Sequence, residues 1–265
     1  MTLTQQNISA WDPVEIADGA CLHGQIGPFK LWIQRSEDEW QTAIERAPQD
    51  DSLVMMKTEA KPDGATWTRW AAADDSRTLA LKPLTPDRAV VARPDSPLLF
   101  PPGSDLLFFI SIPIWLRLLT GQDMDSALFT EPTVILSNSW FGTPTDGTLC
   151  YSLRTTARRN RRTIRKRPHM AVCPIHIKNQ APEAVEFQRL CIHAPHLNLY
   201  QDKDRLWTSQ VDVTYQGNSK TSRTHYGDAP PPASPKARLI SEAREPLPKG
   251  RIQKSIDDLK SFIRM

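Results

Sequence analysis

Leu206-Trp207-Thr208-Ser209-Gln210-Val211-Asp212-Val213-Thr214-Tyr215 carries the clearest signal of fold class in the chain. Its second half alternates: Val211, Val213 and Tyr215 fall on one side of an extended chain, Asp212 and Thr214 on the other. β-Branched and aromatic residues at every second position fit a pleated, half-buried surface. The polar residues between them predict a sheet with one packed face and one wet face. Working outward, Phe29, Leu31 and Ile33 repeat the period, although Trp32 blurs the polar side. Shorter apolar runs at Leu53 to Met56, Thr78 to Lys82, Ala89 to Ala92, Leu149 to Thr156, His169 to Lys178 and Ala184 to His193 read as further strands. Pro62-Asp63-Gly64, Asp74-Asp75-Ser76 and Asp146-Gly147 supply turn chemistry between them.

Twenty-three prolines against eleven glycines in 265 residues argue against long helices and for strand ends and loops. Leu106 to Leu118 reads as two strands kinked at Pro113, since proline cannot donate to a central ladder. It is also too short, and too interrupted by Pro113 and Arg117, for a membrane helix of ~20 residues. Glu37 to Arg46 has weak periodicity and reads as a short helix or a charged loop. Asn179 to Glu183 reads as a hairpin turn that would set Cys173 opposite Cys191. Residues 217–250, with Pro230-Pro231-Pro232, Pro235, Pro246 and Pro248, read as an extended strap with no central strand. Ile252, Ile256, Leu259 and Ile263 recur at helical spacing and predict a short C-terminal amphipathic helix. The fold class expected is mainly β: two antiparallel β-sandwich-like domains, residues 1–125 and 126–265, the second carrying the strap and the terminal helix.

Arg154, Arg158, Arg159, Arg161, Arg162, Arg165, Lys166 and Arg167 place eight positive charges in fourteen positions with no acid among them. The whole chain is +3, so the remainder is −5: a mildly acidic body with a basic protrusion. Seven of the eight are arginine, whose planar fork matches phosphate and carboxylate and sheds water more readily than an ammonium. The expected partner is anionic: nucleic acid, an acidic lipid surface or an acidic protein. The bland alternative is a solvated loop whose charges keep a sheet edge from pairing.

Cys173, His176, Cys191, His193 and His196 are metal-capable, but residues three apart on a strand face opposite ways, so Cys173 and His176 should not converge. Packed thiols are the plainer account, and no metal or cofactor is expected. Four cysteines without a secretion-type leader indicate free thiols and a cytoplasmic location. Trp115, Trp140, Phe141 and Trp207 read as core or corner packing. The chain has no nucleophile elbow, phosphate loop, dinucleotide fingerprint or His-Glu-x-x-His.

Trp140-Phe141-Gly142, Gly147 with Leu149-Cys150-Tyr151-Ser152, Cys173-Pro174-Ile175 through Lys178-Asn179, Leu199-Tyr200 and Arg205-Leu206-Trp207-Thr208 follow one another in an order that resembles the prokaryotic domain of unknown function 432 family. The resemblance rests on the second half of the chain and implies no activity, cofactor or catalytic residue. It adds a membrane-protein partner to the expectations, because members can be encoded beside small mechanosensitive channels. The leading functional expectation is a non-enzymatic binding or regulatory protein that meets an anionic partner through the arginine-rich segment. An enzyme with an interdomain cleft and a self-associating structural subunit are the alternatives.

Overall fold

The structure, a computed structural model, describes residues 9–48, 50–58, 62, 64–72, 74–203, 205–217, 222–248 and 253–255. It is mainly β, as the alternation predicts, and its strands gather into two compact units. The first comprises Met1–Leu84, Pro113–Val134 and Arg167–His169; the second comprises Thr85–Ile112, Ile135–Lys166 and Met170–Met265. One cut at residue 125 does not produce these units. Strand pairing across long sequence distances holds each together, so the chain leaves and re-enters both.

The first unit holds two antiparallel sheets. Five strands run in the order Leu53–Thr58, Cys21–Ile26, Phe29–Ser36, Glu39–Arg46, Trp67–Ala71. Four run in the order Val14–Glu15, Thr78–Leu84, Trp115–Thr120, Ser126–Pro132. Phe29–Ser36 alternates buried and half-buried positions along its whole length. The segment read as a helix or charged loop is the strand Glu39–Arg46, held between two neighbours. Its Trp40, Thr42 and Ala43 are buried, while Glu45 and Arg46 stand exposed at its end, which is why the charges masked the strand. Arg35 is only 2% exposed. It donates to the carbonyls of Glu39 and Asp74, each at 3.2 Å, with its guanidinium 5.2 Å from the Trp40 ring centre.

The second unit is built on a sheet whose path runs Arg238–Ser241, Leu199–Asp202, Arg205–Thr208, Met170–Asn179, Val211–Tyr215, Ser222–Tyr226, Gln253–Ser255, with Asp105–Pro113 pairing onto Met170–Asn179. A four-stranded sheet runs Asn138–Phe141, Thr148–Thr155, Val90–Pro94, Leu190–Ile192. Leu98–Phe100 pairs with Val185–Phe187. Inward residues of all three merge in one core: Val90, Ala92 and Leu153 from the smaller sheet, Cys173, Ile175, Val211 and Val213 from the larger, and a Phe100, Phe108, Phe187 aromatic group between. Pro113 ends one strand and Trp115 begins the next, so the kink falls where the missing donor puts it.

Among the described residues three pairings are parallel: Thr148–Thr155 with Val90–Pro94, and Met170–Asn179 with both Arg205–Thr208 and Val211–Tyr215. The expected hairpin after Asn179 does not form: Val185–Phe187 pairs with Leu98–Phe100 and Leu190–Ile192 with Val90–Pro94, and the chain comes back to Met170–Asn179 only from Arg205 onward, running parallel to it. The strap also needs correction. Ser222–Tyr226 is an interior strand, with Ser222, Thr224 and Tyr226 buried and Arg223 and His225 exposed; small polar residues on its inward face hid the alternation. Arg238–Ser241 is an edge strand of the same sheet. Of the expected terminal helix, Gln253–Ser255 forms a strand against Ser222–Tyr226. Residues 252 and 256–263 lie outside the described residues.

Candidate functional site

The basic segment folds in a way that a solvated loop would not need. Arg154 lies near the end of the strand Thr148–Thr155. Arg158 then forms a two-hydrogen-bond bridge with Phe109, its amide donating at 3.0 Å and its carbonyl accepting at 2.8 Å. The Asn160 side-chain oxygen accepts from the Arg162 amide at 2.9 Å, and the Thr163 hydroxyl donates to the Asn160 carbonyl at 2.8 Å, closing a single tight turn over Arg161–Thr163. Ile164, 7% exposed, drops into a small core of Phe109, Val172, Tyr200 and Trp207. Its carbonyl accepts from Arg205 at 2.9 Å.

These anchors fix the backbone and leave the cations outward. Arg154, Arg158, Arg159, Arg161 and Arg162 are exposed and have no ion pair among the described residues. Arg161 also donates to the Ala233 carbonyl at 2.6 Å, which pins its guanidinium without neutralising it. Arg165 and Lys166 are exposed as well, and Arg167 is half-buried and belongs to the first unit. Five exposed arginines without an ion pair among the described residues, one at a strand end and four on the loop that follows, can bind anions. Catalysis would need a further group that this loop does not carry.

The Cys/His group does not assemble. Cys173 points into the core, where burial pushes its thiol up to about 12, while His176 points to the wet face, as positions three apart on a strand require. Cys191 meets Cys150, not Cys173: the two sulfurs lie 4.0 Å apart in an apolar pocket with Ala89, Val91 and Phe141. Their strands flank Val90–Pro94, and next-but-one strands are about 9.5 Å apart. A disulfide there would need the backbone to move. All four cysteines are at most 2% exposed. They are therefore expected to be silent to a thiol reagent at pH 8 in the folded protein and to react together on denaturation; rapid labelling of any one in the native state would contradict this packing. Among the described residues no group of three or more His, Cys, Asp or Glu side chains is disposed to hold a metal ion.

A cluster with no sequence signature lies on the wet face of the larger sheet. His176 Nδ1 is 3.0 Å from Asp212, and its Nε2 contacts Asp105. Lys178 reaches Asp105 at 3.5 Å, Gln210 donates to Asp212 at 2.8 Å, and His225 sits 3.6 Å from Asp212. The hydrogen bond from His176 holds the Asp105 carboxyl below its ordinary value. Asp105, His176, Asp212 and His225 come from four strands that the topology sets side by side, so no local spacing announces them. The members satisfy one another, and the arrangement ties the strands together across their solvent face.

Trp140, read as core or corner packing, is 50% exposed and takes the corner position at the turn. Its indole donates to the Thr143 carbonyl at 2.9 Å and lies against Gly147, where a Cβ would come within 2.1 Å of the ring nitrogen. Trp115, Phe141 and Trp207 are buried.

Fold and surface together define an all-β protein of two units with an anchored arginine-rich loop on the second. The family model described as Protein of unknown function (DUF432) matches residues 10–263, and the chain belongs to that family. The match spans nearly the whole chain, so the likeness extends well beyond the second half in which its blocks were read. No curated protein and no solved structure matches the chain. No helix among the described residues is long and apolar enough to cross a membrane.

Proposed function

We propose that the protein is a non-enzymatic, cytoplasmic binding module that meets an anionic partner through the loop at Arg154–Lys166. One observation carries the reading: five exposed arginines, with no ion pair among the described residues, sit on a backbone fixed by the Phe109–Arg158 bridge, the Asn160 cap and the buried Ile164. A loop whose charges served only to solvate an edge has no use for those anchors. Pre-ordering lowers the entropic cost of bringing several guanidiniums to one ligand, which is how a binding surface gains affinity. Four buried, unbridged cysteines fit a reducing compartment.

Replacing Arg158, Arg159, Arg161 and Arg162 together with serine is expected to abolish salt-sensitive retention on an anionic matrix. The four changes together should cost no more than about 2 kcal/mol, since exposed substitutions cost within about 0.5 kcal/mol each, so the melting temperature should fall by less than roughly 8 °C. Retention equal to that of the parent protein would defeat the reading.

A further inference from the structure

The parallel pairing of Val90–Pro94 with Thr148–Thr155 places Arg93 in register with Arg154. Residues in register share a face on strands about 4.8 Å apart, and like charges so placed repel. Both arginines are exposed and neither has an ion pair among the described residues. The nearest acid in the chain, Asp95, accepts from the Thr156 hydroxyl at 2.6 Å. Arg189 leads into Leu190–Ile192 on the other side of Arg93's strand, with its guanidinium 5.3 Å from the Phe141 ring centre. Arg93 thus extends the cationic loop onto the sheet, although 61 positions separate it from Arg154.

What this surface carries discriminates among polyanions. A bilayer calls for apolar side chains beside the cations, but Ile164 is buried and Ala157 packs against the core. The exposed Trp140 and Leu149 pair with each other on the hairpin, and Leu149 and Arg154, five residues apart on one strand, face opposite ways. Single strands are held by stacking bases on aromatic rings, and no aromatic residue lies between Arg154 and Lys166. Two guanidinium forks side by side suit the several acceptor oxygens of one phosphate group. Resting on the anion-binding function proposed above, we infer that the partner is the phosphodiester backbone of duplex nucleic acid, bound without base readout, and that Arg93 and Arg154 form one of its phosphate subsites.

Anisotropy titrations of the full chain against labelled 20-base-pair duplexes, DNA and RNA, in two unrelated sequences test this. Contacts by Arg93, Arg154, Arg158, Arg159, Arg161 and Arg162 predict a log–log salt slope of about −5, hence roughly a thousandfold loss of affinity between 50 and 200 mM salt, equal for both sequences. Arg93→Ser should flatten the slope by about 0.9, while Arg69→Ser, an exposed arginine of the first unit, should leave it alone. An unchanged slope in Arg93→Ser removes the subsite. Binding to phosphatidylserine vesicles or to polyglutamate but to neither duplex overturns the duplex inference and leaves the anion-binding function standing. Binding to none of these polyanions overturns both.

Discussion

Asn179→Ala is expected to destabilise the second unit by about 3 kcal/mol, lowering its melting temperature by roughly 6–12 °C. Asn179 is 1% exposed at the end of the strand Met170–Asn179. Its side-chain amide donates to the carbonyls of Phe100, Pro101 and Glu183 at 3.0, 3.1 and 2.9 Å, and its side-chain oxygen accepts from the Ala181 amide at 3.0 Å. Its backbone donates to Ser104 and accepts from Gly103, both at 2.9 Å. One residue thus closes the loop at 101–104 and the turn at 180–183 onto the core. Alanine keeps the backbone bonds and strands the four side-chain partners, and each buried unsatisfied group costs about 1–3 kcal/mol, less where water can enter. Asn179→Asp keeps the shape and puts an acceptor where three carbonyls need a donor, so it should cost at least as much as alanine. Chemical denaturation reads both variants. A loss below 1 kcal/mol in the alanine variant, or an aspartate variant as stable as the parent, would show that the amide is dispensable.

Asn179 also marks the limit of what the sequence discloses. The turn beginning there was legible, because Asn179-Gln180-Ala181-Pro182 breaks an apolar run. The partners of its side chain were not, since Phe100 and Pro101 lie almost eighty positions earlier. The same division runs through the fold. Alternation along Val211–Tyr215 and Phe29–Ser36, and the break at Pro113, are local consequences of side-chain direction and proline chemistry, and the structure shows them where the pattern does. Pairing partners are non-local. Nothing near Met170–Asn179 says that Arg205–Thr208 and Val211–Tyr215 run parallel to it, or that Leu190–Ile192 pairs instead with Val90–Pro94, which takes Cys191 away from Cys173 and brings it to Cys150. At the candidate surface, the arginine run was legible as charge. Arg93 became its neighbour only through a parallel register, and the Asp105–His176–Asp212–His225 group only through sheet order.

The first unit offers the second large effect, at Gly27. Gly27 and Pro28 form a two-residue turn joining Cys21–Ile26 to Phe29–Ser36, with Ile26 paired to Phe29. Gly27 has φ +60° at the first central position, the conformation that a type II′ hairpin reserves for glycine. A Cβ there would stand 2.0 Å from Nδ1 and 2.5 Å from Cγ of His169. That ring is 7% exposed, and the His169 carbonyl is held by the Ile114 amide at 3.1 Å and the Thr133 hydroxyl at 3.2 Å, so its backbone is not free to withdraw. Gly27→Ala therefore carries two costs: about 1–2 kcal/mol for a left-handed alanine and about 1–3 kcal/mol for forcing the ring aside. A double-mutant cycle with His169→Ala separates them. Removing the ring should cancel the steric part and leave the backbone part, so the double variant should be more stable than the sum of the two single losses by at least 1 kcal/mol. Strict additivity would mean that the ring yields freely and that only the turn conformation demands glycine at this position.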